Sequence, residues 1–186
     1  MFIYDHPSFD AHESVHVLSD SATGLKAIVA VHSSALGPGC GGCRIWDYDD
    51  YDQAIDDALR LSSGMSYKSA MAGLDLGGGK CVVIKPKGEF DRAALFQSLG
   101  RKIESLGGLY VGAADVGISP PDLINMGATT QFVGGLPEAN GGSGDSSPAT
   151  AYGVFLGIKA AALHRLGSDD LRGLTVGVQG VGHVGM

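Results

Sequence analysis

Two lysines lie in one short, glycine-rich stretch, and their setting could support chemistry. Lys68 closes the run GMSYK at 64–68, and Lys80 closes the run LGGGK at 76–80. Glycines let a backbone approach another group closely, so a lysine beside them has little freedom. Apolar neighbours favour the neutral amine, which can act as a base near neutrality. Lys80 is therefore a candidate catalytic lysine, and the alternative is a solvated lysine at the start of a strand.

The surroundings of Lys80 do not fit a phosphate-binding loop. Such a loop needs a glycine five positions before its final Gly-Lys pair and a serine or threonine after the lysine. Those positions hold Leu74 and Cys81. We therefore interpret Lys80 as a lysine in a glycine-lined cleft.

Composition limits the class of protein. The 186 residues include 30 glycines, 44% are hydrophobic and 18% are charged, as in a soluble globular protein of one domain or slightly more. The formal net charge of −7 argues against a nucleic-acid partner. No apolar run is long enough to span a membrane, and the start lacks the features of a secretory signal. Three cysteines, an odd number, favour a reducing cytoplasm.

Strand and helix patterns alternate along the chain, which predicts an α/β fold with helical crossovers. Strands are predicted at 15–18, 25–31, 81–84, 109–111 and 174–179, and helices at 51–64, 92–106, 119–122 onward and 149–166. The glycine-rich residues 36–44 are predicted to lack regular structure. Residues 112–117 and 134–147 are predicted to form loops.

Asp115 is the carboxylate that we single out. It follows the predicted strand 109–111, and α/β proteins keep reactive groups in loops at the carboxyl ends of strands. The alternative is an aspartate that only caps the turn at Gly117.

Cys40 and Cys43 have the C-x-x-C spacing of zinc and redox sites. A structural zinc site needs four ligands, and the sequence has no second pair of suitable ligands. A redox pair belongs at the start of a helix, whereas these cysteines lie between glycines. We predict small side chains that line a crowded loop, and no metal. The six histidines are scattered, so they are expected to be surface or packing residues.

Gly180, Gly182 and Gly185 match the dinucleotide fingerprint G-x-G-x-x-G directly after a predicted strand. The helix and the acidic residue that complete this unit would lie beyond residue 186, so the fingerprint does not decide between NAD and NADP. We expect two domains, 1–147 and 148–186, the second being the start of a Rossmann domain. Thr150 could cap the helix that begins there or contact a ligand.

Six ordered motifs, which together span nearly the whole chain, resemble the Glu/Leu/Phe/Val dehydrogenases. They are GPGCGGCR at 37–44, GMSYK at 64–68, LGGGK at 76–80, ADVG at 114–117, SPATAYGV at 147–154 and GVQGVG at 177–182. The resemblance implies an amino-acid dehydrogenase-like substrate domain, homo-oligomeric assembly, and NAD-dependent oxidative deamination of an L-amino acid.

The resemblance also implies roles for particular residues. Lys80 would be the catalytic lysine and Asp115 its partner carboxylate, while Lys68 would bind the substrate carboxylate. Gly41 and Gly42 would form the floor of the cleft. The residues implied to contact NAD are Thr150, Gly180, Val181, Gly182, His183, Val184 and Gly185.

Cys40 and Ala113 would line the pocket for the substrate side chain. Both are small and apolar, which favours leucine, valine or isoleucine over phenylalanine. Two alternatives stay open: a phenylalanine-specific enzyme, and a non-catalytic module for oligomerisation or substrate binding. Because the second half of a nucleotide site is missing, we expect residues 1–186 alone to have negligible turnover.

Overall fold

The computed structural model describes residues 2–186, which form two compact units divided after Gly142. The predicted boundary between residues 147 and 148 stays a prediction. Within residues 2–186, no helix is both long enough and apolar enough to cross a membrane.

A five-stranded sheet forms the centre of the first unit. Its strands are β1 (Ser14–Asp20), β2 (Leu25–Ser33), β3 (Gly39–Trp46), β4 (Gly77–Ile84) and β5 (Tyr110–Ala114). In space their order is β1-β2-β4-β3-β5. The pairs β1–β2 and β2–β4 are antiparallel, whereas β3 lies parallel to both β4 and β5. The predicted α/β fold is confirmed.

Three helices cover the two faces of the sheet. They are α1 (Tyr51–Met71), α2 (Arg92–Glu104) and α3 (Pro120–Gly127). Local caps start them where the sequence predicts: Asp50 accepts from the Gln53 amide at 2.9 Å, and Asp91 accepts from the Ala94 amide at 3.0 Å. Ser119 and Asp122 form a capping box before α3.

The hydrophobic core has two parts, one on each face of the sheet. On one face, α1 packs on alternate residues of β2 and β4 through Ala54, Ala58, Leu59, Ile28, Ala30 and Val82. On the other face, α2 and α3 contribute Leu95, Phe96, Leu99, Ile103, Leu123 and Met126. The sheet is therefore the middle layer of three.

The glycine-rich segments are strands, so the prediction of irregular structure over 36–44 is wrong. β3 begins at Gly39, β4 begins at Gly77 rather than 81, and β5 continues to Ala114. A Cβ atom at Gly41 would lie 1.8 Å from the Gly79 carbonyl oxygen, and one at Gly78 would lie 2.0 Å from Ser66 Oγ. Glycine lets these strands and α1 pack closely, and such strands carry no hydrophobic alternation to reveal them.

Helix α1 continues seven residues beyond the predicted end at Gly64, through the whole GMSYK run. The interior glycine costs about 0.5–1 kcal/mol of helix stability. Ser62 and Ser69, on either side of it, are buried against the rest of the unit. Tertiary packing therefore extends the helix past a residue that local preference alone would make its end.

The second unit contains α4 (Ser147–Leu166), which begins close to the predicted position and ends at Gly167 with φ +79°. The strand predicted at 174–179 is not formed, and Leu174, Val176 and Val178 are exposed. A strand needs a hydrogen-bonded neighbour, and no strand pairs with these residues in the described part of the chain.

Candidate active site

Lys80 lies inside β4 rather than at a strand start, so the solvated-lysine alternative is wrong. Its side chain is only 7% exposed, and it forms an ion pair with Asp115. Alternation along the strand places Lys80 on the same face as Gly78 and Val82, toward α1. Burial of a charged lysine is costly unless the lysine is paired, and the carboxylate of Asp115 provides the partner.

Asp115 is the first residue after β5, and its loop is tied to neighbouring elements. The Ile45 amide donates to the Val116 carbonyl at 3.1 Å, and the Ile118 amide donates to the Asp115 carbonyl at 3.0 Å. Arg92 donates to the carbonyl of Gly117, which has φ +81°. The side chain of Asp115 points to Lys80, with which it forms the ion pair.

The charge state of Asp115 follows from its neighbours. Burial by itself raises the pKa of this carboxyl, but the hydrogen bond and the charge of Lys80, together with the charge of Arg44, outweigh burial and lower it. Asp115 is therefore ionised at neutral pH.

The predicted cleft residues of β3 and β5 lie beside this ion pair. Gly42 is paired with Ala113, and a Cβ atom at position 42 would lie 2.6 Å from the Asp115 Cβ. Cys40 lies two residues before Gly42 on the same strand face and is half-buried. Burial raises the pKa of the Cys40 thiol, so it is a neutral, small group at neutral pH. The structure thus brings Lys80, Asp115, Gly42 and Ala113 together.

Lys68 is exposed on α1, close to the end of the helix. Met65, one turn earlier on the same side of the helix, brings its Cγ to 3.4 Å from the position of a Cβ at Gly41. Lys68 forms no ion pair or side-chain hydrogen bond with any residue from 2 to 186. It lies on the side of α1 that faces the glycine floor, and its charge is available to a ligand.

Sequence reasoning gave no role to Arg44, Tyr48 or Asp57, which extend the charged cluster. Arg44 contacts both Asp115 and Asp57, and the Tyr48 hydroxyl donates to Asp57 at 2.8 Å. Asp57 could have been noticed, because it is a carboxylate one turn from the buried Ala54 on an amphipathic helix. Its pKa is lowered because the hydrogen bonds of Tyr48 and Arg44 outweigh burial.

The two cysteines of the C-x-x-C motif lie on opposite faces of β3. Cys43 faces away from the cleft, pairs with Cys81 across β3 and β4, and is fully buried. All three cysteines are free, and no group of three or more metal-binding side chains occurs within 2–186. Tyr110, beneath this pair, donates its hydroxyl to the Gly41 carbonyl at 2.6 Å and so supports the cleft floor from the opposite face.

The predicted cofactor residues belong to the second unit. Thr150 is an exposed residue in the first turn of α4, and its hydroxyl donates to the Ser146 carbonyl at 2.9 Å. Residues 180–185 form a tight turn: Gly180 has φ +90°, and a Cβ atom at Gly185 would lie 2.1 Å from the Gly180 carbonyl oxygen. These two positions therefore favour glycine. Val181, Gly182, His183 and Val184 complete the turn.

Comparison with known proteins gives the family. The profile described as "Glu/Leu/Phe/Val dehydrogenase, dimerisation domain" matches residues 10–132. The chain is 47% identical over 184 residues to leucine dehydrogenase from Thermoactinomyces intermedius, with 99% of this chain and 50% of that protein covered. It is 48% identical over 180 residues to valine dehydrogenase from Streptomyces virginiae, with 97% and 50% covered.

A solved structure agrees with the sequence relatives. The crystal structure of L-tryptophan dehydrogenase from Nostoc punctiforme is similar with a TM-score of 0.71 at 40% identity, over 94% of this chain and 49% of that one. The chain thus spans about half the length of the relatives that it matches. The fold, the ordered motifs and this match over most of the first unit place the chain in the Glu/Leu/Phe/Val dehydrogenase family.

Proposed function

We propose that this chain is the substrate-binding and catalytic part of an NAD-dependent enzyme. The enzyme would convert a branched-chain aliphatic L-amino acid into the 2-oxo acid and ammonia. The observation that carries the proposal is the buried ion pair between Lys80 and Asp115, which lies against Gly42 in a chain related to leucine and valine dehydrogenases.

The charges of the site suit an amino acid. Two cations, Lys80 and Arg44, are balanced by two carboxylates, Asp115 and Asp57. The carboxylate of a substrate needs one more cation, and Lys68 has no ion-pair partner in residues 2–186. Lys68 is therefore the residue proposed to bind the substrate carboxylate.

Asp115 and Lys80 would handle protons at the other end of the substrate. Asp115, ionised at neutral pH, accepts a proton from the substrate ammonium group, which frees the amine for oxidation. Lys80 would hold the water that adds to the resulting iminium carbon. One proton of this water passes to the amino nitrogen and the other is released, so that ammonia leaves as the 2-oxo acid forms. Thr150 and residues 180–185 would hold NAD, which would supply the hydride acceptor.

The substrate side chain would contact Cys40 and Ala113, which are small and uncharged, over the floor made by Gly41 and Gly42. Aliphatic side chains of leucine, valine and isoleucine suit such a surface. An aromatic substrate is the second candidate, since the similar solved structure is named an L-tryptophan dehydrogenase. The ratio of kcat/KM for leucine to that for phenylalanine discriminates between the two.

We further propose a homo-oligomeric, cytoplasmic protein in which residues 1–147 bind the substrate and 148–186 begin the NAD domain. The name of the matched profile, a dimerisation domain, supports assembly through the first unit. Light scattering after size-exclusion chromatography tests assembly, and a single monomeric peak would contradict it.

The test of activity uses the product of the complete reading frame that contains residues 1–186. NAD⁺ reduction is followed with L-leucine, L-valine, L-isoleucine and L-phenylalanine. Lys80→Gln should lower kcat by about 10²–10⁴-fold, the usual contribution of a general acid–base group. Lys87→Gln, at an exposed lysine, is the matched control and should leave kcat unchanged. No NADH with any amino acid would overturn the proposal.

A further inference from the structure

Arg44 connects the candidate catalytic pair to the helix that covers it. From β3, its Nε donates to Asp115 Oδ2 at 3.0 Å, and its Nη1 donates to Asp57 Oδ2 at 2.8 Å. Its side chain is 23% exposed, so these two charge-assisted hydrogen bonds are partly shielded from solvent. A lysine at this position could not span both carboxylates with a planar fork.

The far end of this bridge is itself fixed. Asp57 on α1 accepts from the Tyr48 hydroxyl at 2.8 Å, and Tyr48 is 9% exposed. Arg60 also reaches Asp57, but only at 3.4 Å from an exposed position. Asp57 and Tyr48 therefore hold the Nη1 atom of Arg44, and this fixes the position of its Nε atom.

The hydrogen bonds from Arg44 and Lys80 determine which carboxylate oxygen of Asp115 has protein donors. Lys80 and Arg44 both donate to Oδ2, and no other side chain within residues 2–186 hydrogen-bonds to Oδ1. With two donors from two strands on one oxygen, rotation of the carboxylate would break both contacts. Oδ1 therefore accepts from no side chain in residues 2–186, and the backbone amide of Val116 is the remaining protein donor to this carboxylate.

We infer that Arg44 is a positioning residue that holds Asp115 through Oδ2 in the orientation in which Oδ1 serves the substrate amine. The inference rests on the proposed function of Asp115. It goes beyond that function because Arg44 itself touches no reacting atom and acts only through the carboxylate.

Few charged or titratable side chains lie around Arg44 and Asp115. Asp115 faces Lys80 from β4 and Arg44 from β3, and Asp57 and Tyr48 lie behind Arg44. A cavity of about 720 Å³ next to Arg44 is also lined by His6, Asp52 and Asp56. Of these groups, only Lys80 and Arg44 contact Asp115, so removal of Arg44 takes away one of the two cations that favour its ionised form.

The first test measures Asp115 directly and needs no turnover. The pH titration of its carboxyl carbon is followed by NMR in residues 1–186, with the signal assigned by its loss in Asp115→Asn. Arg44→Met should move the titration midpoint of Asp115 to higher pH, and Arg44→Lys should move it less. Arg60→Met is the matched control, because Arg60 contacts Asp57 but not Asp115, and its midpoint should equal that of wild type. An unchanged midpoint in Arg44→Met would overturn the inference.

The second test uses the complete enzyme. Arg44→Met should lower kcat about 10-fold or more and move the acidic limb of the kcat/KM profile to higher pH, with partial rescue in Arg44→Lys. Asp57→Asn, which leaves Arg44 present but unanchored, should shift the limb in the same direction by less, and Asp56→Asn should not. If the acidic limb of the kcat/KM profile stays at the wild-type pH in both Arg44→Met and Asp57→Asn, the positioning role of Arg44 is wrong. Absence of any wild-type activity would instead count against the proposed function, while the NMR titration still decides on Arg44.

Discussion

Gly42 and Asp115 lie so close together that a Cβ atom at position 42 would be 2.6 Å from the Cβ of Asp115. The same atom would lie 2.9 Å from the Ala114 carbonyl oxygen. Real Cβ contacts are longer, so the absence of a side chain on β3 is what allows the carboxylate to reach Lys80. A glycine on one strand thus sets the position of a charged group on the next.

The first prediction is that Gly42→Ala displaces Asp115. Overpacking at this contact should cost about 1–3 kcal/mol of stability, measured by urea denaturation. The ion pair should lengthen, so the NMR titration midpoint of Asp115 should rise. In the complete enzyme kcat should fall more than substrate affinity does.

The matched control for this change is Gly64→Ala, in the middle of α1. A Cβ atom there would meet nothing within 4 Å, so the variant should be more stable by about 0.5–1 kcal/mol. Equal stability losses in both variants would mean that the close contact at Gly42 does not determine the position of Asp115.

A second prediction concerns Tyr110, which supports the cleft floor from the opposite face of the sheet. Its hydroxyl, fully buried, donates to the Gly41 carbonyl at 2.6 Å. Tyr110→Phe keeps the ring but removes the donor, and should cost about 1–3 kcal/mol of stability. Tyr4→Phe, at a residue that is 77% exposed, should change the stability by much less. A Tyr110→Phe variant as stable as wild type would show that this hydrogen bond contributes nothing.

Local signals in the sequence predict the starts of α1, α2 and α3 correctly, because a cap is decided within four residues. At the starts of α1 and α2, Asp50 accepts from the Gln53 amide and Asp91 from the Ala94 amide. The end of α1 does not follow from local sequence preference, because it depends on packing against β4. The sequence does not indicate β3 for a related reason: its glycines face a neighbouring backbone and carry no hydrophobic alternation.

The site was only partly predictable. Lys80 and Asp115 were singled out by glycine context and strand-end position, but their pairing followed only from the family resemblance. Arg44 and Asp115 are 71 positions apart, and nothing in the spacing of their residues says that two parallel strands bring them together. A sequence pattern does not encode which strands become neighbours. The contacts of Arg44 with Asp115 and Asp57 are therefore visible only in the structure.

A third prediction concerns the ion pair between Arg92 and Asp122, which anchors the loop after Asp115. Asp122 is 3% exposed and Arg92 40% exposed, and their closest contact is 2.8 Å. Asp122→Asn should cost about 2–3 kcal/mol at pH 7, less than a wholly buried pair because Arg92 is partly hydrated. Glu89→Gln, at an exposed carboxylate, is the control and should cost little.

The cost of Asp122→Asn should depend on pH. Burial raises the pKa of Asp122, but the hydrogen bonds from Arg92 and Ser119 outweigh burial and lower it. A carboxyl whose pKa is lower in the folded state contributes stability above its unfolded pKa of about 3.9, and loses it as the pH falls further. Urea denaturation at pH 7 and pH 3 should therefore show a smaller difference between variant and wild type at pH 3. A difference independent of pH would contradict this account.

A fourth prediction concerns His12, a buried histidine that the structure holds in its neutral form. The Asp10 amide donates to Nδ1 at 3.1 Å, so Nδ1 has no proton, and Nε2 lies 3.0 Å from the Leu59 carbonyl, to which it must donate. Protonation would break the first of these hydrogen bonds. Burial, the largest cause, lowers the pKa of His12, and the neighbouring His32 adds to the effect.

The sign of the pH dependence follows from this arrangement. The unfolded chain binds the proton near pH 6.5, whereas the folded chain resists it, so stability should fall as the pH drops through 6.5. His12→Gln removes the titrating group, and its stability should change less between pH 7.5 and pH 5 than that of wild type. His164→Gln, at an exposed histidine on α4, should keep the wild-type slope. Equal slopes in wild type and His12→Gln, measured by urea denaturation at both pH values, would mean that another group causes any loss of stability in this range.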